Sequence, residues 1–382
     1  MIKTYPTSNI LNERQAQSLL AKLIYSIEGI SGCRLDETTQ AIIVELLPGT
    51  AQGPIDDAVE RLIAKERSSR IIGSRLYRET EAREDARAGT PETAGELFAP
   101  NGAWKRGLAV TLSEQIDRLL VEWAQRHQAQ LRSYPSMIPV ETLRKCRYIE
   151  TFPQNIHFVS EFPHRLEELE KVREAGDLNG LARLSPYALS PAVCFHCYAE
   201  LSGSRLQEPL VLTSRGTCFR HEAAWRVGKH RLQEFSMREI VLFGEASFIE
   251  EERRAFMEEA WSLFERLGLA GKIETASDPF FFSEESGKGQ QQLMGNMKYE
   301  LIARAGEDGG SFSIASFNHM GDSLCKPFEV LDAEANPMQS GCIAFGIDRW
   351  AYALLDGYGG DYGKWPARVR ETLESARMAV PQ

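Results

Sequence analysis

Long apolar segments are missing from this sequence. The longest apolar runs, such as residues 40–47, are far too short to span a bilayer. The N-terminal stretch MIKTYPTSNILNERQ has no apolar core of the kind found in secretory signals. Internal repeats and low-complexity tracts are absent as well. We therefore expect a cytoplasmic globular protein that has no membrane partner.

Cysteine is sparse, and its spacing is irregular. The seven cysteines are Cys33, Cys146, Cys194, Cys197, Cys218, Cys325 and Cys342. An odd number of scattered cysteines in a chain without a visible secretory signal disfavours a disulfide framework. Reduced thiols or metal ligands are the expectation that follows.

Clusters of basic residues are missing too. The formal net charge is −10, and the densest basic stretch, residues 215–231, also contains acids and apolar side chains. Extensive binding to a phosphate backbone needs clustered Lys and Arg. The charge balance therefore argues against a large nucleic-acid interface, although it leaves room for a local basic patch.

The 382 residues are enough for one large domain and a small one. Residues 1–85 predict a small α/β unit, with helical apolar spacing at 12–25 and 54–69 and two strand-like runs within 32–47. Residues 86–105 are rich in Ala, Gly, Pro and Thr, which predicts a linker. We divide the chain into domains at 1–95 and 96–382.

The second domain has a mixed pattern. Residues 112–130 predict a long helix, the two prolines at 133–139 fit a strand edge, and 165–174 is a charged, helix-favouring segment. From residue 190 onward, strand-like runs alternate with helical ones at 249–267 and 347–355. This pattern predicts an α+β fold in which helices flank a largely antiparallel sheet.

Charged residues are concentrated on one predicted hairpin, residues 210–244. Two strand-like runs flank a short loop at 224–230, and alternation puts Arg220 and Glu222 on the same side as Arg231 and Glu239. Charges on a packing face are costly unless they are paired or used. A solvated face with a structural Arg–Glu pair and a functional site are both compatible with this spacing.

A second polar signal follows a short apolar strand that ends at Gly346. The helix after it carries Asp348 and Arg349 in its first turn. An arginine at a helix N-terminus opposes the helix dipole, and a phosphate partner would explain its position. Glycine at this point permits close approach of another group to the backbone.

Together these segments resemble motifs 2 and 3 of the class II aminoacyl-tRNA synthetases. FRHE at 219–222 and RLQEF at 231–235 resemble motif 2, and GCIAFGIDR at 341–349 resembles motif 3. The helix at 112–130 stands where motif 1, the dimer interface, would lie. The three motifs occur in the right order over roughly residues 100–360. The resemblance implies a class II synthetase-like antiparallel sheet and a homodimer formed through the 112–140 region.

The resemblance also implies an ATP site, which would consist of Arg220, Glu222, Arg231, Phe235, Ser316, Asn318, Gly346 and Arg349. Arg220 would hold the α-phosphate, and Arg231 and Arg349 would hold the phosphates that leave as pyrophosphate. Glu222 would bind the adenine or the arginine framework. Arg220, Glu222 and Arg349 are the expected catalytic residues.

Magnesium would accompany the ATP. The usual acidic magnesium ligand of the family falls near residues 311–318, where this chain has no acid. Ser316 and Asn318 could contribute instead, with Glu300 nearby in sequence. Ordinary hydrogen bonding at a strand end explains Ser316 and Asn318 equally well.

The details of the sequence are similar to seryl-tRNA synthetases of the zinc-dependent type, because TASDPFF at 275–281 and KYEL at 298–301 also fit that branch. A zinc clip at Cys194 and Cys197 is disfavoured, since residues 192–201 predict a strand on which the two thiols face opposite ways. No second CxxC completes such a site. The resemblance implies Cys194, Glu239 and Cys342 as zinc ligands. The fourth position would then be open for the substrate's amino group, and three buried residues without a metal are the alternative.

The acceptor follows from what the chain lacks relative to that branch. Residues 1–95 contain no sustained heptads for a tRNA-binding coiled-coil arm, and the motif 2 loop is short, so tRNA is not expected. The chain resembles the amino acid:[carrier protein] ligases, which implies transfer of a small amino acid, glycine or alanine, to the phosphopantetheine thiol of a carrier protein. A tRNA-charging enzyme and a catalytically silent binding protein remain as alternatives.

Overall fold

The computed structural model describes residues 1–8, 10–23, 27–36, 38–67, 73–82, 97–98, 104–228, 230–278, 286–305 and 310–375. Most of the predicted linker at 86–105, the predicted domain boundary at 95–96 and residues 279–281 of the TASDPFF run lie outside these ranges.

No helix among the described residues is long and apolar enough to cross a membrane.

The chain begins with a small α/β module. Its elements are β1 (Ile2–Pro6), α1 (Glu13–Leu23), β2 (Ile30–Asp36), β3 (Ala41–Leu46) and α2 (Gln52–Arg67). The strands form an antiparallel sheet in the order β1-β3-β2. Apolar residues of α1, α2 and β3 share one core that includes Leu19, Val44 and Val59. The two helices and the strand pair expected from the apolar spacing are present, and β1 is an additional strand.

The end of the predicted first domain belongs to a different sheet. Strand β4 (Leu76–Thr80) pairs with a strand of the large sheet rather than with the N-terminal one. Assigning all of residues 1–85 to one small unit was therefore wrong for this segment. The reason is that backbone pairing across long separations leaves no trace in local periodicity.

The second part of the chain is built on an eight-stranded sheet with the order β4-β11-β12-β13-β14-β10-β9-β5. Its other strands are β5 (Gln130–Arg132), β9 (Leu210–Phe219), β10 (Glu234–Gly244), β11 (Ala270–Thr275), β12 (Lys298–Ala305), β13 (Gly310–Gly321) and β14 (Gln339–Gly346). All neighbours are antiparallel except β5 and β9. This confirms the α+β class with a largely antiparallel sheet.

Three long helices cover one face of this sheet: α3 (Leu108–Arg126), α8 (Ala246–Arg266) and α11 (Ile347–Tyr358). Strand residues such as Ile240 and Phe345 point into that core. Side chains alternate along a strand, so their neighbours Glu239 and Ala344 point to the opposite face. The hydrophobic layer thus leaves the other face of the sheet available for a site.

The opposite face is flanked by shorter elements. These are α4 (Val140–Lys145), α5 (Tyr148–Thr151), α6 (Leu166–Glu174), α7 (Cys194–Glu200), α9 (Ser286–Met294) and α10 (Cys325–Phe328), together with the strands β6 (Met137–Pro139), β7 (Phe158–Glu161) and β8 (Arg183–Leu189). Helix α12 (Ala367–Glu374) instead packs into the core of the long helices through Val369 and Leu373. The small sheet has the order β6-β8-β7, so the proline-containing β6 is an edge strand as expected. The helices at 194–200, 286–294, 325–328 and 367–374 were not among the two helical runs expected after residue 190.

Two local predictions were wrong. Residues 192–201 do not form a strand, because α7 occupies Cys194–Glu200. The hairpin strands are also shorter than expected: β9 ends at Phe219 and β10 begins at Glu234. Residues 220–233 therefore form a longer loop, and Arg220, Glu222 and Arg231 lie on that loop and not on strand faces.

Candidate active site

A cavity of about 960 Å³ lies on the sheet face that the long helices leave free. Its walls come from β10, β12, β13 and β14, from residues 220–236, from segment 146–152 and from the start of α7. All of the residues that the family resemblance implied for the metal and for ATP line this cavity: Cys194, Arg220, Glu222, Arg231, Phe235, Glu239, Ser316, Asn318, Cys342, Gly346 and Arg349. The structure therefore brings both predicted sets into one space.

Two thiols and a carboxylate meet at one end of the cavity. Cys194 begins α7, Glu239 lies in the middle of β10, and Cys342 lies on the neighbouring β14. Their ligand atoms all lie within 4.8 Å of one another. The three residues are 8%, 2% and 5% exposed, respectively. Such a buried group of two sulfur atoms and one oxygen is a donor set that suits zinc.

The carboxylate of Glu239 is held in place by backbone groups. The N–H of Val193 donates to Oε1 at 3.2 Å, and the N–H of Cys194 donates to Oε2 at 2.7 Å. The Sγ of Cys342 lies 3.5 Å from the same Oε2. The segment that carries Cys194 thus also orients Glu239, which gives the cluster a defined geometry.

Crowding of acidic groups shifts the thiol pKa values in this cluster. The hydrogen bond with Cys342, burial and Glu239 raise the pKa of Cys194 well above its ordinary value. For Cys342 the hydrogen bond with Cys194 lowers the pKa, but burial and Glu239 outweigh it and raise that pKa to about 11. Without a cation, the cluster therefore holds protons on its thiols. A divalent metal would compensate the charges once the thiols ionise.

Cys197 stays outside this group. It lies one turn further along α7, where burial raises its pKa, and Tyr134 is a hydrogen-bond partner of its thiol. We expected Cys194 and Cys197 to point to opposite faces of a strand. They are instead separated along a helix, and only Cys194 belongs to the cluster. Among the described residues, Cys194, Glu239 and Cys342 are the one group with metal-ligand proximity.

Arginines dominate the other end of the cavity. The guanidinium of Arg220 lies 5.2 Å from the ring centroid of Phe235, and its Nε donates to the carbonyl of Pro191 at 3.3 Å. This arrangement fixes the side chain by stacking and by one hydrogen bond. Arg220 lines the cavity, so its guanidinium is a group that a bound anion would meet.

Glu222 connects two further arginines. Its Oε1 accepts a hydrogen bond from Nη1 of Arg231 at 3.0 Å, and its Oε2 lies 3.7 Å from Nη1 of Arg226. The carboxylate is buried, and Oε2 has no hydrogen-bond partner among the described residues. Buried acceptors are normally satisfied, so an unpaired oxygen in a cavity wall is suited to a donor on a ligand.

Arg349 reaches the cavity from the first turn of α11. Its Nε donates to the carbonyl of His230 at 2.9 Å, and its Nη1 donates to the carbonyl of Ser313 at 2.8 Å. Burial, Arg231 and Arg220 lower the pKa of Arg349 to about 10. Three cations that destabilise one another in this way form a local positive field, which favours a polyanionic ligand.

The start of α11 is anchored by its acidic residue. Asp348 is buried, accepts a hydrogen bond from the N–H of Ser236 at 2.7 Å and forms an ion pair with Lys105. An acid at the N-terminus of a helix also complements the helix dipole. Gly346 precedes the helix with φ −80°, and a Cβ there would meet its nearest atoms at 3.6 Å. Neither the backbone nor the protein surroundings therefore demand glycine, so any requirement would come from a ligand.

Ser316 and Asn318 lie on β13 between the two ends of the cavity. The Nδ2 of Asn318 donates to Oγ of Ser316 at 3.1 Å and to the carbonyl of Cys342 at 2.9 Å. Glu300 on β12 stands directly opposite Ser316 in the sheet register. The acid that is missing from residues 311–318 is thus available from the neighbouring strand.

The cavity contains functional groups that sequence reasoning did not single out. Lys298 forms ion pairs with Asp278 at 2.6 Å and with Glu300 at 3.0 Å. Burial by itself would lower the pKa of Lys298, but these two carboxylates outweigh it and hold the pKa above its ordinary value. The two-residue spacing of Lys298 and Glu300 on one strand face was a usable signal. Tyr148, which lines the wall beside them, gave no such signal.

Comparison with known sequences places the chain among ligases. It is 30% identical over 308 residues to amino acid–[acyl-carrier-protein] ligase 1 of Bradyrhizobium diazoefficiens, which covers 74% of this chain and 93% of that protein. The corresponding ligase 2 is 30% identical over 253 residues, covering 64% of this chain and 74% of its own length. A scan against protein-family profiles finds no match.

Archaeal synthetases are more distant relatives. The type-2 serine–tRNA ligase of Methanocaldococcus jannaschii is 27% identical over 304 residues, which cover 75% of this chain but 58% of that protein. Among solved structures, M. kandleri SerRS in complex with A. aeolicus tRNASec matches 100% of this chain and 79% of its own with a TM-score of 0.69 at 21% identity. At that identity the match establishes the class II synthetase fold and nothing further.

Proposed function

The chain belongs to the amino acid–[acyl-carrier-protein] ligase family, and on this premise we propose that it activates a small amino acid with ATP and transfers it to the phosphopantetheine thiol of a carrier protein. The enzyme is an ATP-dependent ligase. Glycine and alanine are the amino acids we favour. The observation that carries the proposal is the joint presence of a buried thiol–carboxylate cluster and an arginine-rich wall in one cavity.

Zinc is the metal we assign to Cys194, Glu239 and Cys342. The donor set fits, since two sulfurs and a carboxylate oxygen are buried within 4.8 Å of one another. Three protein ligands are the number found in zinc sites that keep a position for substrate. When bound, the metal would supply a Lewis acid that holds the substrate's amino group in its neutral form.

Activation needs no covalent bond to the protein. A carboxylate oxygen of the amino acid attacks the α-phosphorus of ATP, and the bond from that phosphorus to the bridging oxygen breaks as pyrophosphate leaves. Arg220 would stabilise the charge that develops on the α-phosphoryl oxygens. Arg231 and Arg349 would hold the leaving phosphates, because their guanidinium groups line the same wall.

Glu222 is the group we assign to the adenine. Within the part of the chain that the structure describes, its buried Oε2 lacks a hydrogen-bond partner, and an exocyclic amine would supply one. Its second oxygen meanwhile holds Arg231 at 3.0 Å. One carboxylate would therefore select the base and support the arginine framework at the same time.

Magnesium is the cation we expect with the ATP. We assign its protein ligands to Glu300 and Ser316, with Asn318 beside them. Support comes from the register that places Glu300 opposite Ser316 and from the position of both in the cavity wall. Lys298 competes for the same carboxylate at 3.0 Å, so the metal would bind more weakly than at an unpaired acid.

Transfer completes the reaction. The acceptor thiol sulfur attacks the carbonyl carbon of the adenylate, AMP leaves with the bonding electron pair, and the thiol proton passes to solvent. No protein nucleophile is required. Candidate docking surfaces for the carrier protein are the exposed helix Leu166–Glu174 and the basic loop 226–231.

A homodimer through the 112–140 region is also part of the proposal. One face of α3 packs into the chain's own core, so that face is not available for contact with a second copy. Leu131 and Met137, however, are 42% and 46% exposed, and Tyr187 of the adjoining small sheet is 43% exposed. Apolar side chains grouped at strand edges favour burial against a second copy.

tRNA charging is the second candidate. The observation that favours it is the 27% identity over 304 residues to the type-2 serine–tRNA ligase of Methanocaldococcus jannaschii. A catalytically silent binding protein is less well supported, because the cluster and the arginines are all present in one cavity.

The decisive experiment is amino-acid-dependent ATP–pyrophosphate exchange, tested with every proteinogenic amino acid on a sample of measured zinc content. Exchange with one or two small amino acids and about one zinc per chain is the expected result. Offering phosphopantetheinylated carrier protein and total tRNA in turn then distinguishes the two acceptors. Absence of exchange at full zinc occupancy would overturn the proposal.

A further inference from the structure

The loop that carries Glu222 and Arg231 has little regular structure of its own. It spans residues 220–233 between β9 and β10 and contains one short 3-10 turn, Ala224–Arg226. Its described internal bonds include the N–H of Gly228 to the carbonyl of Arg231 at 2.9 Å. Segments with few buried contacts open locally at low free-energy cost. The loop's conformation therefore depends on what holds it from outside.

Besides the bond from Arg220 to the carbonyl of Pro191, two hydrogen bonds anchor the ends of this loop. The N–H of His221 donates to the carbonyl of Asn155 at 3.0 Å, and Nε of Arg349 donates to the carbonyl of His230 at 2.9 Å. Neither bond reaches the middle of the loop. The 3-10 turn lies between these two anchors.

The middle of the loop is anchored by Trp225. Its half-buried indole packs against the hydrophobic core of the N-terminal module, and the 3-10 turn lies against strand β2 of that module. The module thus contributes a hydrophobic contact to a loop that belongs to the cavity. A large aromatic side chain supplies more buried apolar area than any other residue type could at one position.

The contact lies close to the proposed ATP groups. Arg226 follows Trp225 directly, and its Nη1 lies 3.7 Å from Oε2 of Glu222. Glu222 in turn binds Arg231 at 3.0 Å. A displacement of the 3-10 turn would therefore move Arg226 and change the surroundings of the buried carboxylate.

The segment after the module contacts the opposite wall as well. The N–H of Arg75 donates to Oγ1 of Thr275 at 2.7 Å, and the N–H of Thr275 donates to the carbonyl of Arg75 at 2.9 Å. Thr275 ends β11, three residues before Asp278 of the cavity. The N-terminal residues thus hold both the loop and the segment facing it.

We propose that Trp225 is a positioning residue through which the N-terminal module keeps the 220–233 loop in the conformation that binds ATP. The proposal rests on the proposed function for the identity of the nucleotide. It assigns the module to the activation step, whereas a module that only recognises the acceptor would leave ATP binding unchanged.

The test measures ATP binding to the full chain by calorimetry, without amino acid or acceptor. If Trp225→Ala lowers the population of the competent loop to about a tenth, the apparent Kd for ATP rises about tenfold. Trp225→Phe should restore most of the affinity, because an aromatic ring remains to pack. The KM for the amino acid should stay unchanged in both variants, since the thiol–carboxylate cluster lies outside the loop.

Tyr5→Phe is the matched control. It removes a 2.6 Å hydrogen bond to Asp56 inside the module and leaves Trp225 in place. A small loss of module stability with an unchanged Kd for ATP is the expected result. An increase in Kd as large as that of Trp225→Ala would show general loosening of the module and would overturn a specific role for Trp225.

Hydrogen–deuterium exchange separates this proposal from the proposed function. Faster exchange of residues 220–233 in ligand-free Trp225→Ala is expected, and unchanged exchange would refute the positioning role whatever the enzyme's substrate. Faster loop exchange with an unaltered Kd for ATP would refute it too. A wild-type chain that binds ATP but activates no amino acid would contradict the proposed function and leave the role of Trp225 standing.

Discussion

The two ends of the cavity are built in different ways. Cys194, Glu239 and Cys342 each lie on a helix or a strand and are at most 8% exposed. Arg220, Glu222 and Arg231 lie on a 14-residue loop, residues 220–233, that has a single short 3-10 turn among its described residues. Sheet register and the docking of the start of α7 onto Glu239 determine the first set, whereas a few anchoring contacts determine the second.

This difference has consequences for function. A cluster held by register is preformed, so its loss removes a whole binding step. A loop held by anchors has a population of competent conformations, so changes there produce graded effects. The predictions below test this contrast from the largest expected effect to the smallest.

The largest effect is expected for Cys342→Ala. Removing one of three ligands should abolish zinc binding and reduce pyrophosphate exchange by more than the roughly 100-fold typical of mutations around a metal site. Zinc content and exchange are measured on the same sample, with circular dichroism as the check on folding. Cys197→Ala is the control, since this buried thiol lies outside the cluster. Normal activity in a zinc-free Cys342→Ala enzyme would contradict the assignment.

Arg220→Ala should have the next largest effect. Loss of a preorganised donor for the developing charge costs about 10²–10³-fold in rate at saturating ATP. Zinc content should remain at the wild-type level, because Arg220 belongs to the other end of the cavity. The rate of Arg220→Lys should lie between those of the wild type and Arg220→Ala. Lysine keeps a cation near Phe235 but lacks the planar guanidinium with its paired donors. If Arg220→Ala also lost its zinc, the two ends of the cavity would not be independent.

Glu222→Gln should have a moderate effect, seen mainly in the KM for ATP. The amide keeps the shape of the side chain but weakens the bond to Arg231, so we expect an increase of about tenfold. A purine nucleoside triphosphate that lacks the 6-amino group provides the sharper test. The wild type should prefer ATP over this analogue, and the variant should lose most of that preference; equal preference in both would contradict adenine binding by Glu222.

The smallest effect on activity is expected for a substitution in the long helices that cover the other face of the sheet. His127 at the end of α3 lies 2.5 Å from Glu252 of α8 and 3.7 Å from Glu259, and these carboxylates hold its pKa above the ordinary value of 6.5. A raised pKa in the folded state adds stability that is fully present below the unfolded pKa. That stability is lost as the pH rises through the folded value.

His127→Gln should therefore lower the Tm more at about pH 5.5 than at about pH 9. Thermal unfolding of both proteins at the two pH values is the measurement. Exchange activity at moderate temperature should be unaffected, because His127 lies on the covered side of the sheet. A Tm difference that grows toward alkaline pH would show that His127 is not stabilised as a cation.

Much of the fold could be predicted from the sequence. The helical periods of α1, α2, α3 and α8 and the class of the large sheet follow from local patterns of apolar residues. The position of β4 in the large sheet could not, because its pairing with β11 joins residues far apart in sequence. Helix α7 was also missed, since seven mostly buried residues show no amphipathic period.

The candidate site shows the same division. Motif order pointed to the arginines and the acid of the loop, and all of them line the cavity. Asp278 and Lys298 were not assigned a role, because their ion pair becomes visible only when β12 and the segment after β11 are placed side by side. The roles of all these residues stay predictions until the variants are measured.

The sequence by itself determined the family, the fold class and which chemical groups are available, because residue types, motif order and apolar periods are local properties of the chain. Only the tertiary structure decided which of the cysteines meet a carboxylate, that Glu300 stands beside Ser316, and that Trp225 joins the N-terminal module to the 220–233 loop. The physical reason is that these contacts depend on strand register and on packing between distant segments, which no spacing along the chain encodes.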